Sequence, residues 1–193
     1  FFEKKISNLR KNSHNFIFLY SGMLEKSRKV DLIAKTFTKL PKNFNVIFLG
    51  FGELEQSLIS LSKTYSNIIV CGPVKSNEIY KATSQVDCGF SFLEPNCLNH
   101  ELALPNKLLA CLQSGIPVIS NGRKQITKLI NKYNAGFVVD DSSEKLFQKK
   151  LLTITKDDLE RFQFGARKFQ QKNSWAKEER KLIKFFKKIE LNF

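Results

Sequence analysis

With 193 residues, 42% of them hydrophobic and 18 of them Phe, the chain can bury a sizeable core without disulfides or metals, while 9 Gly and 5 Pro are too few for a low-complexity or collagen-like sequence. Lys plus Arg number 32 against 18 acids, a net charge of +14 that favours anionic partners: nucleic acid, nucleotides, phosphorylated lipids or an acidic membrane face. The surplus is uneven, because residues 145–193 hold 14 basic and 6 acidic side chains and so form the more basic part.

In chain order, residues 1–14 read as a linker or the end of a preceding domain, and a chain that begins with Phe reads as a piece of something longer. Short apolar runs then predict strands over 16–21, 45–50, 67–71, 86–92, 116–120 and 136–139. Amphipathic segments between them predict helices over 28–40, 53–64, 76–84, 105–114 and 124–133, and three further helices follow over 144–153, 156–172 and 175–189. Runs such as FIFLY, VIFLG and IPVIS are apolar nearly throughout, as expected of parallel strands covered on both faces. Strict alternation of strand and helix gives an α/β fold, a doubly wound Rossmann-like parallel sheet of about six strands spanning 15–172 with helices at its end. The last helix, within 173–193, puts Trp175, Leu182, Ile183, Phe186 and Ile189 on one stripe and most of its lysines elsewhere, so it needs an apolar surface to lie on.

In such a sheet ligands bind beyond the carboxyl ends of the strands where strand order reverses, here between the first and fourth strands. The loops that meet there are SGMLEKSRK (21–29) and LEPNCLNHELALPNK (93–107). Gly22 allows close backbone approach, Arg28 offers a fork of donors and Lys107 a point charge. Pro105 at the first helical position aims free amides and the helix dipole into the same crevice, which makes a cradle suited to a diphosphate. Read separately, Gly22 and Pro105 are turn punctuation, and Arg28 and Lys107 are solvated charge.

Other signals exclude more than they assign. The Gly50-Phe51-Gly52-Glu53 turn lacks the third glycine of a dinucleotide fingerprint and reads as a tight turn or a glycine-lined wall. Phosphate-loop, HExxH and GxSxG motifs are absent from the sequence. The cysteines at 71, 88, 97 and 111 form no CxxC pair and read as reduced thiols of a cytosolic protein, with Cys71, Cys88 and Cys111 in core-like runs. Cys97 and His100 have a metal-like spacing, but two ligands without a second pair are a bland loop, so no metal is expected. His14 reads as surface, Glu94 as facing water, and Glu101 as equally suited to a sugar hydroxyl or to water. No apolar run approaches the ~18 residues of a membrane span and no signal peptide precedes the first strand, so a soluble chain is expected.

Taken together, YSGMLEKSRKVDLIAKTF, FLGFGELEQSL, IIVCGPVKSNEIYKATSQVDCGF and above all ALPNKLLACLQSGIPVIS resemble the nucleotide-sugar-binding, C-terminal half of the retaining GT-B glycosyltransferases of the large group 1 family, particularly bacterial polysaccharide enzymes. The resemblance covers most of the chain. It implies one half of a GT-B fold in which Arg28 grips the donor diphosphate, Gly22 approaches it closely, and Leu104, Pro105, Asn106 and Lys107 form the cradle at the helix start. Gly72, Pro73 and Val74 would lie against the nucleotide base, mostly through backbone. Four positions depart from the family pattern: Ala110 and Leu102 stand where a pair of glutamates is usual, Met23 where an arginine follows the first glycine, and Lys29 where a glycine follows the second basic residue. Glu101, one position from Leu102, is the substitute carboxylate.

The reaction so implied moves a sugar, with retention of configuration, from a nucleotide diphosphate sugar to a glycan or lipid-linked acceptor. Arg28, Lys107 and the helix amides would stabilise the leaving diphosphate without metal or other cofactor, and Glu101 completes the catalytic set. The acceptor would be held by an N-terminal domain outside this chain, with the closing helix packed across the junction. A site with both glutamates replaced also fits a non-catalytic sugar-nucleotide-binding module. A basic nucleic-acid-binding domain is the rival from another class, yet no reader motif supports it and no nucleic-acid partner is expected. The basic tail also suits the inner face of an anionic membrane.

Overall fold

The computed structural model describes residues 2–95 and 98–190. Strands β1 (Phe16–Ser21), β2 (Phe44–Leu49), β3 (Ile68–Val70), β4 (Cys88–Ser91), β5 (Val118–Ser120) and β6 (Gly136–Val138) form one parallel sheet in the order β3-β2-β1-β4-β5-β6. Order therefore reverses between β1 and β4, where the sequence placed the switch point.

Both faces of the sheet are covered, and the strand period shows how. Phe18 and Tyr20 of β1 and Val46 and Phe48 of β2 point to one side, where α2 (Val30–Thr38), α8 (Glu144–Leu152) and α9 (Lys156–Lys172) supply Phe37, Phe147 and Phe162. Ile17, Leu19, Ile47 and Leu49 alternate to the other side, under α1 (Phe2–Arg10) and α4 (Ile79–Thr83). A third cluster joins α6 (Asn106–Gln113) and α7 (Lys124–Tyr133) to β5 and α9. Each fully buried Phe, Leu or Ile contributes about 1.5–3 kcal/mol.

Two elements were not expected from the sequence. Residues 2–10 form α1, with Phe2 and Ile6 buried, where a linker was read. The short α5 (Leu98–Leu102) interrupts the long loop after β4. The helix expected over 28–40 is split: Lys26–Arg28 is a 3-10 turn, Lys29 is left-handed (φ 56), and α2 begins at Val30. Similarly, Ser76–Glu78 is a 3-10 turn ahead of α4, while α3 (Glu55–Thr64) starts two residues later than read.

Beneath the amino ends of the strands, Asp87 ties three elements together. Its Oδ2 accepts the Ile17 amide at 2.7 Å and lies 3.6 Å from Lys156 Nζ, while Oδ1 accepts from Arg10 at 2.6 Å. At the other extreme of the chain, α10 (Trp175–Glu190) leaves its apolar stripe in solvent, with Trp175 71% and Phe186 56% exposed.

Candidate functional site

Beyond the carboxyl ends of β1, β2 and β3 the chain continues as stitched turns. The Gly22 amide donates to the Leu49 carbonyl, Leu24 to Phe51, and Gly50 to Gly72, each at 2.9 Å. Gly50 (φ 152) packs so closely under the first loop that a Cβ on it would collide with the Gly22 carbonyl oxygen. Gly22 (φ 128) has open space where its own Cβ would stand. One glycine is thus required by the neighbouring backbone and the other leaves room for a ligand. The GxG turn is the wall behind the first loop.

Facing this seam is the start of α6. Pro105 is its N-cap, one position before the first helical residue, with extended φ −63 and ψ 145 and no side-chain cap, which corrects the placement of proline inside the helix. The amides of Asn106 and Lys107 have no intrahelical partner, as at any helix start, and present the positive end of the dipole. The Lys107 side chain runs back toward the sheet, where Nζ donates to the Tyr20 hydroxyl at 3.2 Å and lies 4.4 Å from the ring centroid. Burial, then the nearby Arg28 guanidinium, pull this ammonium down to about 7. Burial likewise pushes the Tyr20 phenol well above its ordinary value.

A cavity of roughly 660 Å³ opens between seam and helix. It brings together Gly22, Pro73, Val74, Asn106 and Lys107 of the residues singled out in the sequence, with Ala110 also in its wall. Arg28 stands beside the cavity rather than in its lining, close enough for its charge to act on Lys107 and 3.9 Å from Glu25. Gly72 lies behind Pro73 with its carbonyl spent on Gly50, and Leu104 is exposed outside the lining. Phe51, from the turn that reads as a possible wall, and Tyr80, which carries no signal in the sequence, are both about half exposed and form apolar walls. The lining among the described residues includes no carboxylate.

Glu101 is not brought to the cavity. On α5, its carboxylate accepts from Arg123 at 2.6 Å and receives the Lys124 amide at 3.5 Å, so it ties the long loop to the start of α7. The loop is held elsewhere too. The buried Asn121 side chain clamps both backbone groups of Leu93, at 3.1 and 2.7 Å, and the Glu94 amide donates to Ser27 at 3.1 Å. This last bond joins the two loops that were expected to meet. Lys29, left-handed where a glycine is usual, at a backbone cost of roughly 1–2 kcal/mol, places Nζ 3.9 Å from Glu94 and 3.8 Å from Asp141.

His100 donates Nδ1–H to the Glu94 carbonyl at 2.8 Å, and its expected neighbour Cys97 lies outside the described residues. His14 is exposed, as read. Cys88 and Cys111 are buried free thiols and Cys71 is half-buried; burial raises all three, Cys71 to about 11 and Cys111 to about 12, which leaves them unreactive. Among the described residues no helix is long and apolar enough to cross a membrane.

A sheet ordered 3-2-1-4-5-6, with a cleft at its switch point, an open helix start and a lysine in the cleft wall, defines a Rossmann-like α/β domain. The chain belongs to the family of glycosyl transferases group 1, whose sequence model matches residues 1–171. Among curated proteins none matches it. It is similar to a glycosyltransferase from Rickettsia africae, at 19% identity and TM-score 0.71, covering 100% of this chain and 52% of that one. Sucrose-phosphate synthase from Thermosynechococcus elongatus is similar at 12% identity and TM-score 0.71 over 97% of this chain and 48% of its own. HepE of Anabaena, solved in complex with UDP and glucose, is similar at 14% and 0.65 over 87% and 46%. The chain spans about half the length of these structures, and its fold is that of one half of a GT-B glycosyltransferase.

Proposed function

We propose that this chain is the donor-binding half of a glycosyltransferase, holding a nucleoside diphosphate sugar in the cleft between the glycine seam and α6. The observation that carries this reading is the chemistry of the cleft: a half-buried lysine and an uncapped helix start, with Arg28 beside them and no carboxylate in the described lining. Phosphate oxygens would meet Lys107, the Asn106 and Lys107 amides, and Arg28, while Gly22 lets the ligand approach the backbone. Phe51, Pro73, Val74 and Tyr80 offer an apolar face suited to a base and its ribose. Ala110 leaves that region without the carboxylate the family pattern puts there, so affinity would come from the diphosphate more than from ribose hydroxyls.

The bond from the sugar's anomeric carbon to the diphosphate oxygen breaks, and one from the same carbon to the acceptor oxygen forms. The acceptor hydroxyl gives its proton to the departing diphosphate oxygen, which leaves with the bonding electron pair. Lys107, Arg28 and the helix amides stabilise that leaving charge, with retention of configuration following from the family resemblance. Glu101, held by Arg123, is left to fix the loop. The acceptor, a glycan or a lipid-linked sugar, would be presented by an N-terminal domain in a bacterial polysaccharide enzyme working in the cytoplasm. The exposed stripe of α10 would pack across the junction to it. An anionic membrane face is the second occupant that the lysines on the opposite arc of α10 support.

Calorimetry of the chain against UDP, GDP and ADP tests the site. At least one is expected to bind, with Arg28→Ala and Lys107→Ala each weakening it by about tenfold or more. A parent that binds none of them, or variants that both bind as the parent does, would overturn the reading.

A further inference from the structure

Tyr20 ends the apolar run of β1 with a hydroxyl that the proposed chemistry leaves without a task. Its ring is fully buried, 6.0 Å from that of Phe48, and in a chain with 18 Phe a phenylalanine would fill the same space. A buried phenol must place its proton, and this one donates it to the Met23 carbonyl at 2.6 Å, inside the glycine loop. Only its lone pairs then remain for Lys107, whose Nζ donates to them at 3.2 Å while lying over the ring. The phenol therefore connects the loop after β1 with the start of α6, where Lys107 lies 87 residues beyond Tyr20 in the chain.

We propose that Tyr20 is a positioning residue for Lys107: its hydroxyl, locked as an acceptor by the Met23 carbonyl, holds the lysine amine at the floor of the cleft, between the glycine loop and the helix start, where a diphosphate would lie. The aim at a diphosphate rests on the donor-site reading above; the tether itself does not. The groups that face Lys107 are Tyr20 from β1, Arg28 and Glu25 from the loop that follows it, and Cys111 one turn further along α6. Burial and Arg28 disfavour the ammonium, whereas Glu25 favours it, as do the phenol lone pairs that accept from it.

The variant that isolates the hydroxyl is Tyr20→Phe, which keeps the ring and its packing. Lys107 is followed by NMR of its labelled side-chain carbon in the ligand-free chain, with the signal assigned from Lys107→Arg, and UDP affinity is measured by calorimetry. The Lys107 midpoint is expected to fall by about half a pH unit or more, and UDP affinity at neutral pH by about fivefold. A midpoint that stays in place or rises overturns the proposal, as does a UDP affinity equal to the parent's in a parent that binds UDP. A midpoint that falls in a chain binding no nucleoside diphosphate upholds the tether and removes the donor reading instead.

Discussion

The two ends of the sheet use charge in opposite ways. At the amino ends, Asp87 meets a backbone amide, Arg10 and, more loosely, Lys156, so a carboxylate is surrounded by the groups that satisfy it. At the carboxyl ends, Lys107 and Arg28 sit close enough to oppose one another, and the hydrogen bond of Lys107 goes to a phenol instead of a carboxylate. The first arrangement stabilises the fold. The second holds positive charge at some cost to the fold, which is what the proposed diphosphate site would require.

Removing charge should therefore have opposite consequences at the two ends. The largest effect is expected for Asp87→Ala. It strands the amide of Ile17, a residue with no exposed surface, and leaves Arg10 with its bond to the Gln85 carbonyl alone, a loss of about 2–4 kcal/mol. The melting temperature should drop by about 5–10 °C while UDP affinity at a temperature where the variant is folded stays that of the parent. A variant as stable as the parent would remove the distinction from the amino end.

Lys107→Met should do the reverse. Binding of whichever nucleoside diphosphate the parent takes is expected to weaken by about a hundredfold, since a charge-assisted contact and its field are lost. The ligand-free chain should gain about 1 kcal/mol, or about 2–4 °C. The pH dependence fixes the sign. The amine titrates near 7 when folded and near 10.5 when unfolded, so between these values the unfolded chain binds the extra proton and the parent gains stability as pH rises. The advantage of the methionine is thus greatest below pH 7 and fades toward pH 10. Parent affinity for UDP, by contrast, should decline above pH 7 as the ammonium discharges, and the variant's should not. A Lys107→Met chain that melts earlier than the parent below pH 7 would show that the lysine supports the fold after all.

Most of the sheet was legible because its strands are buried on both sides and read as unbroken apolar runs, which also gave the alternation and hence the switch point. Phe2, Ile6 and Leu9 carry the helical spacing of α1, but a short basic segment ahead of the first strand resembles a linker until Asp87 and the Ile17–Leu19 face are seen beneath it. The split at Lys29 is marked only by the glycine usual at that position; the left-handed lysine closes the Lys26–Arg28 turn, its amide donating to the Lys26 carbonyl at 2.7 Å. Of the residues that line the cleft, Gly22 and Lys107 stand out in the two loops at the switch point, and Asn106 only through the family resemblance. Tyr20 does not stand out, since a tyrosine closing an apolar strand is indistinguishable from core until its hydroxyl is seen between Met23 and Lys107.

Glu101 offers the finest discrimination, because it is a carboxylate at the cationic end. If carboxylates there serve the scaffold, Glu101→Gln should cost only the charge of its pair with Arg123, about 0.5–1 kcal/mol for a partner 38% exposed. Arg123 keeps its bond to the Asn121 carbonyl at 3.1 Å, so the start of α7 stays in place, and the loop remains clamped through Asn121 and Leu93. UDP affinity should then stay within about twofold of the parent, and the melting temperature should fall by about 1–3 °C. A loss of UDP binding of about tenfold or more would mean that the carboxylate leaves Arg123 and turns to the ligand when the cleft is filled, and the end of the sheet that gathers cations would need an acid of its own to work.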